Sequence, residues 1–146
     1  MMAIWQFECM IIPSGNVIMN IFSEEILLWK AESLEAFREN IKKIFPLEES
    51  WSKDIEQYGK IDGTCIKFLH EKEMVEVLLR LDLRSLSRQN FEEIFGMVGE
   101  VDGQILYQEK LYHPDFNEII KLVRESDAAR FCENPEEYLG GLDTEL

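Results

Sequence analysis

The sequence predicts an α+β fold: one mainly antiparallel sheet of four to six strands, two helices packed on one face, and a C-terminal helical extension. Two observations carry that expectation. Residues 75–84 alternate, Val75, Val77, Leu79, Leu81 and Leu83 facing one way and Glu76, Arg80, Asp82 and Arg84 the other, as in a strand with one face on a core. Leu34, Phe37, Ile41 and Ile44 instead recur at steps of three and four, which places them on one stripe of a helix.

The remaining elements follow in chain order. Residues 3–12 alternate, with Trp5, Phe7, Cys9 and Ile11 on one side, which is strand spacing. The turn cluster Pro13, Ser14, Gly15 and Asn16 then predicts a hairpin return over Val17 to Phe22. Ile26 to Trp29 fits either a short strand or the entry to a helix. The first helix runs to Pro46, which stops it. Between Leu47 and Gly59, Ser50 as a cap, Trp51, Ile55 and Tyr58 on one face, and the closing Gly59 predict a second short helix or an ordered loop. Asp62 and Gly63 mark a turn, and Thr64 to His70 reads as a strand joined through Glu71, Lys72 and Glu73 to the alternating strand, forming a hairpin.

Ser87 is placed to cap a helix whose buried face is Phe91, Ile94, Phe95 and Val98, with Gly99 as its end signal. Asp102 and Gly103 repeat the Asp-Gly turn before a strand over Gln104 to Gln108. Each half thus passes from strand through amphipathic helix to Asp-Gly and another strand. That pattern suggests a split β-α-β, ferredoxin-like outline, with the helices at 34–45 and 88–98 on the same face. Asp115 caps a helix bearing Phe116, Ile119, Ile120 and Val123, Ser126 opens a further segment, and Asn134-Pro135 starts the last one. The expected organisation is one domain over 1–142 with a frayed acidic tail at 143–146.

The chain has 146 residues, 29 acidic against 15 basic, for a formal charge of −14. One core suits that length. An acidic surface without a Lys or Arg cluster repels phosphate backbones and anionic lipid, so neither nucleic acid nor membrane is an expected partner. The longest apolar runs are too short to span a bilayer, and the N-terminus lacks the basic start of a signal peptide. A cytoplasmic location is the resulting expectation. Cys9, Cys65 and Cys132 are odd in number and set among apolar neighbours, which fits reduced buried thiols.

Motifs that carry chemistry are scarce. His70 and His113 stand 43 positions apart with no Cys or His at metal spacing, so no metal ligand is assigned. The acidic pairs Glu24-Glu25, Glu48-Glu49, Glu92-Glu93 and Glu136-Glu137 read as solubilising surface. No general acid or base can be chosen among the carboxylates, and neither a nucleophile elbow nor a phosphate or dinucleotide loop is present. No catalytic residue and no cofactor are therefore assigned. The candidate partner-binding residues are Arg80, Asp82 and Arg84, which share a strand face and could fork onto a carboxylate or phosphate, and Trp51 as an aromatic anchor. The competing reading is a solvated sheet face crossed by ion pairs, with the tryptophan in the core.

Three phrases, Trp51-Ser-Lys-Asp-Ile with Tyr58-Gly59, Arg80-Leu-Asp-Leu-Arg84, and Ser126 to Phe131 followed by Asn134-Pro135, resemble small bacterial single-domain proteins. Size and acidity are similar to those of immunity proteins that neutralise bacterial toxins, and the resemblance spans residues 51–139. It implies a non-enzymatic protein-binding module whose negative field attracts a basic partner. Two other classes stay open: a small-molecule-binding or catalytic domain with a pocket between sheet and helices, and a self-associating structural module.

Overall fold

The computed structural model describes residues 3–14, 28–50 and 52–133. The expected return strand at 17–22, Trp51, the segment from Asn134 and the acidic tail all lie outside the described residues. Within them, eight strands form one antiparallel sheet: β1 (Gln6–Pro13), β2 (Trp29–Lys30), β3 (Leu47–Glu48), β4 (Ile55–Tyr58), β5 (Cys65–Glu71), β6 (Met74–Asp82), β7 (Gly103–Tyr107) and β8 (Lys110–Tyr112). The order is β3-β4-β5-β6-β1-β7-β8, and β2 pairs the far end of β6. Four helices join it: α1 (Glu35–Ile44), entered through a 3-10 turn at Ala31–Leu34, α2 (Arg88–Glu100), α3 (Phe116–Arg124) and α4 (Asp127–Glu133).

The register explains the core. Phe7, Cys9 and Ile11 of β1 lie opposite Leu81, Leu79 and Val77 of β6, while Ile66 and Phe68 of β5 lie opposite Leu79 and Val77. Directly paired residues point to the same side of a sheet, so all of these share one face. All are buried in one cluster with Phe37 and Ile41 of α1, Phe91, Ile94, Phe95 and Val98 of α2, and Ile119 and Val123 of α3. Helices α1, α2 and α3 therefore cover the same face, as the two sequence-predicted amphipathic stripes require. Ser87 caps α2 by accepting from the Asn90 N–H, and Asp115 caps α3 by accepting from the Glu118 N–H. Gly103 opens β7 where α2 comes closest, since a Cβ there would lie 3.0 Å from Val98 Cγ1.

Two expectations are corrected. Among the described residues the sheet has eight strands rather than four to six, because short strands extend both sides of its centre. The expected helix or loop over Leu47 to Gly59 is instead the strand pair β3 and β4, with Leu47 opposite Tyr58 and Glu48 opposite Gln57. Gly59 closes β4 rather than a helix: its φ is +85° and an added Cβ would sit 2.2 Å from the Thr64 carbonyl oxygen. Only glycine fits such a position. The strand β8 was not foreseen at all. Its turn places Gln108 and Glu109 at φ 49° and 65°, a primed hairpin turn built without glycine or asparagine.

Candidate functional site

The densest polar constellation among the described residues is built around Glu56. Strand periodicity puts Glu56 and Tyr58 on the same face of β4, and pairing with β5 brings Phe68 opposite Glu56 and His70 one step beyond. From above, Phe37 of α1 meets Phe68 edge-on with ring centroids 6.0 Å apart, which sets Arg38 over the same spot. The Arg38 Nη2 then donates to both oxygens of Glu56 at 2.7 and 2.8 Å. The Tyr58 hydroxyl donates to Oε2 at 2.9 Å, and the His70 Nε2 lies 2.6 Å from Oε1. Arg38, Glu56 and His70 keep about a quarter of their side-chain surface in water, with 25, 24 and 28% exposed.

The electrostatics follow from that geometry. Burial alone would raise the Glu56 carboxyl, but hydrogen bonds from Arg38, Tyr58 and His70 outweigh it and hold the group below the usual carboxylate range. Burial, reinforced by the Glu56 charge, pushes the Tyr58 phenol up to about 12. Glu56 is thus an anion that fixes one histidine nitrogen, one guanidinium and one phenol, and ties α1 to the β4-β5 side of the sheet. A carboxylate on a histidine ring nitrogen is also how proton-transfer histidines are oriented. Here the same carboxylate is neutralised by Arg38, and the described cavities lie elsewhere on the molecule.

The sequence-predicted residues separate. Arg80 and Asp82 lie on the sheet face turned away from α1 and α2, whereas Arg84 lies beyond the end of β6. Arg80 Nε donates to Glu8 Oε2 at 3.2 Å across the β1-β6 pair. Asp82 is buried and accepts from Arg84 Nε at 3.0 Å, Arg84 Nη2 at 2.9 Å and the Arg84 N–H. Burial favours its neutral form, yet the Arg84 bonds prevail and hold Asp82 below the usual carboxylate range. The Arg84 guanidinium also stacks on Trp5, 3.9 Å from the ring centroid, and Trp5 Nε1 donates to the Asp62 carbonyl at 2.9 Å. Gln6 completes the lock, its amide donating to the carbonyls of Ile61 and Gly63. Arg80 is thus tied to Glu8 through Nε while its buried Nη1 has no hydrogen-bond partner, and Asp82 holds the Arg84 guanidinium, whose Nη2 donates to the Asp62 carbonyl beside Trp5 and Gln6.

Cys9 and Cys65 are buried free thiols and Cys132 is half-buried. Desolvation raises the pKa of each, which opposes thiolate formation. No group of three or more His, Cys, Asp or Glu among the described residues is arranged to hold a metal ion, and no described helix is long and apolar enough to cross a membrane.

The described helical layer carries two grooves of opposite character. Between α1 and α2 lies one of about 570 Å³, bounded by Glu92, Glu93 and Glu100 with Lys43 and Asn40 opposite, over Ile44 and Met97. Between α2 and α3 lies one of about 350 Å³ whose lining holds two arginines and no carboxylate.

No protein-family model, curated protein or solved structure matches the chain.

Proposed function

We propose that the chain is a non-enzymatic protein-binding module for a basic protein partner, of the kind an immunity protein makes with a toxin. The observation that carries this reading is the groove between α1 and α2, where three carboxylates face one lysine on a chain of net charge −14. A field of that sign raises the encounter rate with a basic surface and suppresses binding to acidic ones. We read the centre of the sheet, β5-β6-β1-β7 with α1 and α2 as its crossovers, as a split β-α-β frame that presents the helical layer to that partner.

The test is capture of binding proteins on the tagged chain at about 0.05 M and about 0.5 M salt, because screening at the higher value collapses exposed-charge attraction. The comparison bait carries Glu92→Lys, Glu93→Lys and Glu100→Lys. A basic protein held at low salt, released at high salt and missed by the reversed-charge bait is the expected outcome. Equal capture by both baits, or no enrichment at either salt, overturns the reading.

A further inference from the structure

The second groove points to a ligand of different chemistry from the proposed partner, and its argument is independent of that reading. Its floor is aromatic and rigid: Phe91, buried in the core, meets Phe116 edge-to-face with centroids 5.4 Å apart and an interplanar angle of 89°. Leu86 and Ile120 extend that floor, and Arg88 and Arg124 stand at its rim. The Arg88 guanidinium is poised over the Phe116 ring, 4.9 Å from its centroid, while its Nε donates to Glu92 Oε1 at 2.9 Å. Arg124 makes no ion pair among the described residues. The neighbouring acid Asp115 is engaged in capping α3.

We propose that this groove binds a small monocarboxylate with an aromatic or branched aliphatic body. The body would lie on Phe116, Leu86 and Ile120, with the buried Phe91 beneath them, and the carboxylate would be held at Arg124 with the outer nitrogens of Arg88. The charge count selects a monoanion: two guanidiniums less the Glu92 carboxylate already paired with one of them leave a single positive charge to be met. Arginine suits that end, because its planar donors match both carboxylate oxygens. The volume selects a small acid over a peptide segment, since about 350 Å³ lies near the lower bound of roughly 300 Å³ for ligand pockets. The chain's overall charge opposes anions at long range, so selectivity must come from contacts made inside the groove.

The experiment titrates the full chain with 4-phenylbutyrate and follows backbone amide shifts by NMR, with butyrate and the neutral 4-phenylbutyramide as comparison probes. Saturable shifts confined to residues 86–91 and 116–124, with millimolar affinity, are expected for 4-phenylbutyrate. Both comparison probes should bind about three- to ten-fold more weakly, as loss of one charge-assisted contact or of the apolar body implies. Arg124→Ala should weaken the acid by a similar factor and leave the amide probe unchanged, and Arg124→Lys should fall between. The exposed position of Arg124 spares the core, and an unchanged amide spectrum elsewhere confirms that each variant folds. Shifts scattered outside the groove, no saturation up to about 10 mM, or equal binding of acid and amide would overturn the proposal.

Discussion

Replacing Glu56 with Gln tests whether the Glu56 cluster holds α1 to the sheet. The change removes the charge that the Arg38 guanidinium, the Tyr58 hydroxyl and the His70 ring all address. A hydrogen bond to a charged group contributes about 1.5–3 kcal/mol, so three donors would sum to several kcal/mol if they were dry. Arg38, Glu56 and His70 are 24–28% exposed, so water takes up part of the vacated bonding, and the amide oxygen of Gln keeps one acceptor. Discounting for both leaves a loss of about 2 kcal/mol. In urea denaturation at pH 7 that is a midpoint drop of about 1 M for a slope near 2 kcal/mol/M. A double-mutant cycle with Arg38→Met isolates the pair, and a coupling of about 1 kcal/mol is expected. A loss below about 0.5 kcal/mol for Glu56→Gln, or strictly additive single variants, would refute the argument that this carboxylate is a hub.

Other outcomes follow from the same geometry. Glu56 and Asp82 have folded-state pKa values below their unfolded ones, so their stabilisation is complete above about pH 4 and is lost as pH falls through the folded values. Urea titrations from pH 7 to pH 2 should therefore show a flatter acid limb for the Glu56→Gln, Asp82→Asn double variant. Tyr58 shifts the other way, so its stabilisation persists below about pH 10 and disappears as pH rises toward about 12. Phenolate absorbance should show a tyrosine titrating at about 12 that Tyr58→Phe removes, while Tyr107, also raised by burial, stays. Gly59→Ala should cost more than about 2 kcal/mol or prevent folding, because it adds a Cβ at positive φ against the Thr64 carbonyl, and thermal unfolding measures this directly. Ser87→Ala, which loses the α2 cap, should cost only about 1 kcal/mol in the same assay.

Long elements with an unambiguous period were readable from the residues. The alternation over Val75 to Leu81 is β6, the stripe Leu34, Phe37, Ile41 is the entry and core of α1, and Ser87 caps α2 as its side chain suggests. The failure at Leu47 to Gly59 has a physical cause. Trp51, Ile55 and Tyr58 stand at steps of four and three, which imitates a helix, yet Ile55 and Tyr58 fall on opposite faces of β4. Pairing with β5, a tertiary event, overrides that local spacing. The misreading also hid the Glu56 cluster, since only as a strand does this segment bring Glu56 and Tyr58 onto one side. Arg38 and His70 come from two further elements, so no spacing in the sequence joins the four. Arg80, Asp82 and Arg84 do alternate, but the strand ends at Asp82 and Arg84 folds back on it.

The place of β1 in the sheet has a kinetic consequence. The first strand of the chain is flanked on both sides by strands made much later, β6 through residue 82 and β7 through residue 107. At about 5–20 residues per second, a ribosome needs on the order of 5–20 s to deliver both neighbours after β1 has emerged. During that interval Phe7, Cys9, Ile11 and Ile12 lack the two strands that flank them among the described residues, and the loop that must close between β1 and β6 is among the longest in the domain. The nascent chain thus exposes an apolar strand before either of its neighbours is made, and its yield in a crowded cell should respond to translation speed and to chaperones that hold extended apolar peptides.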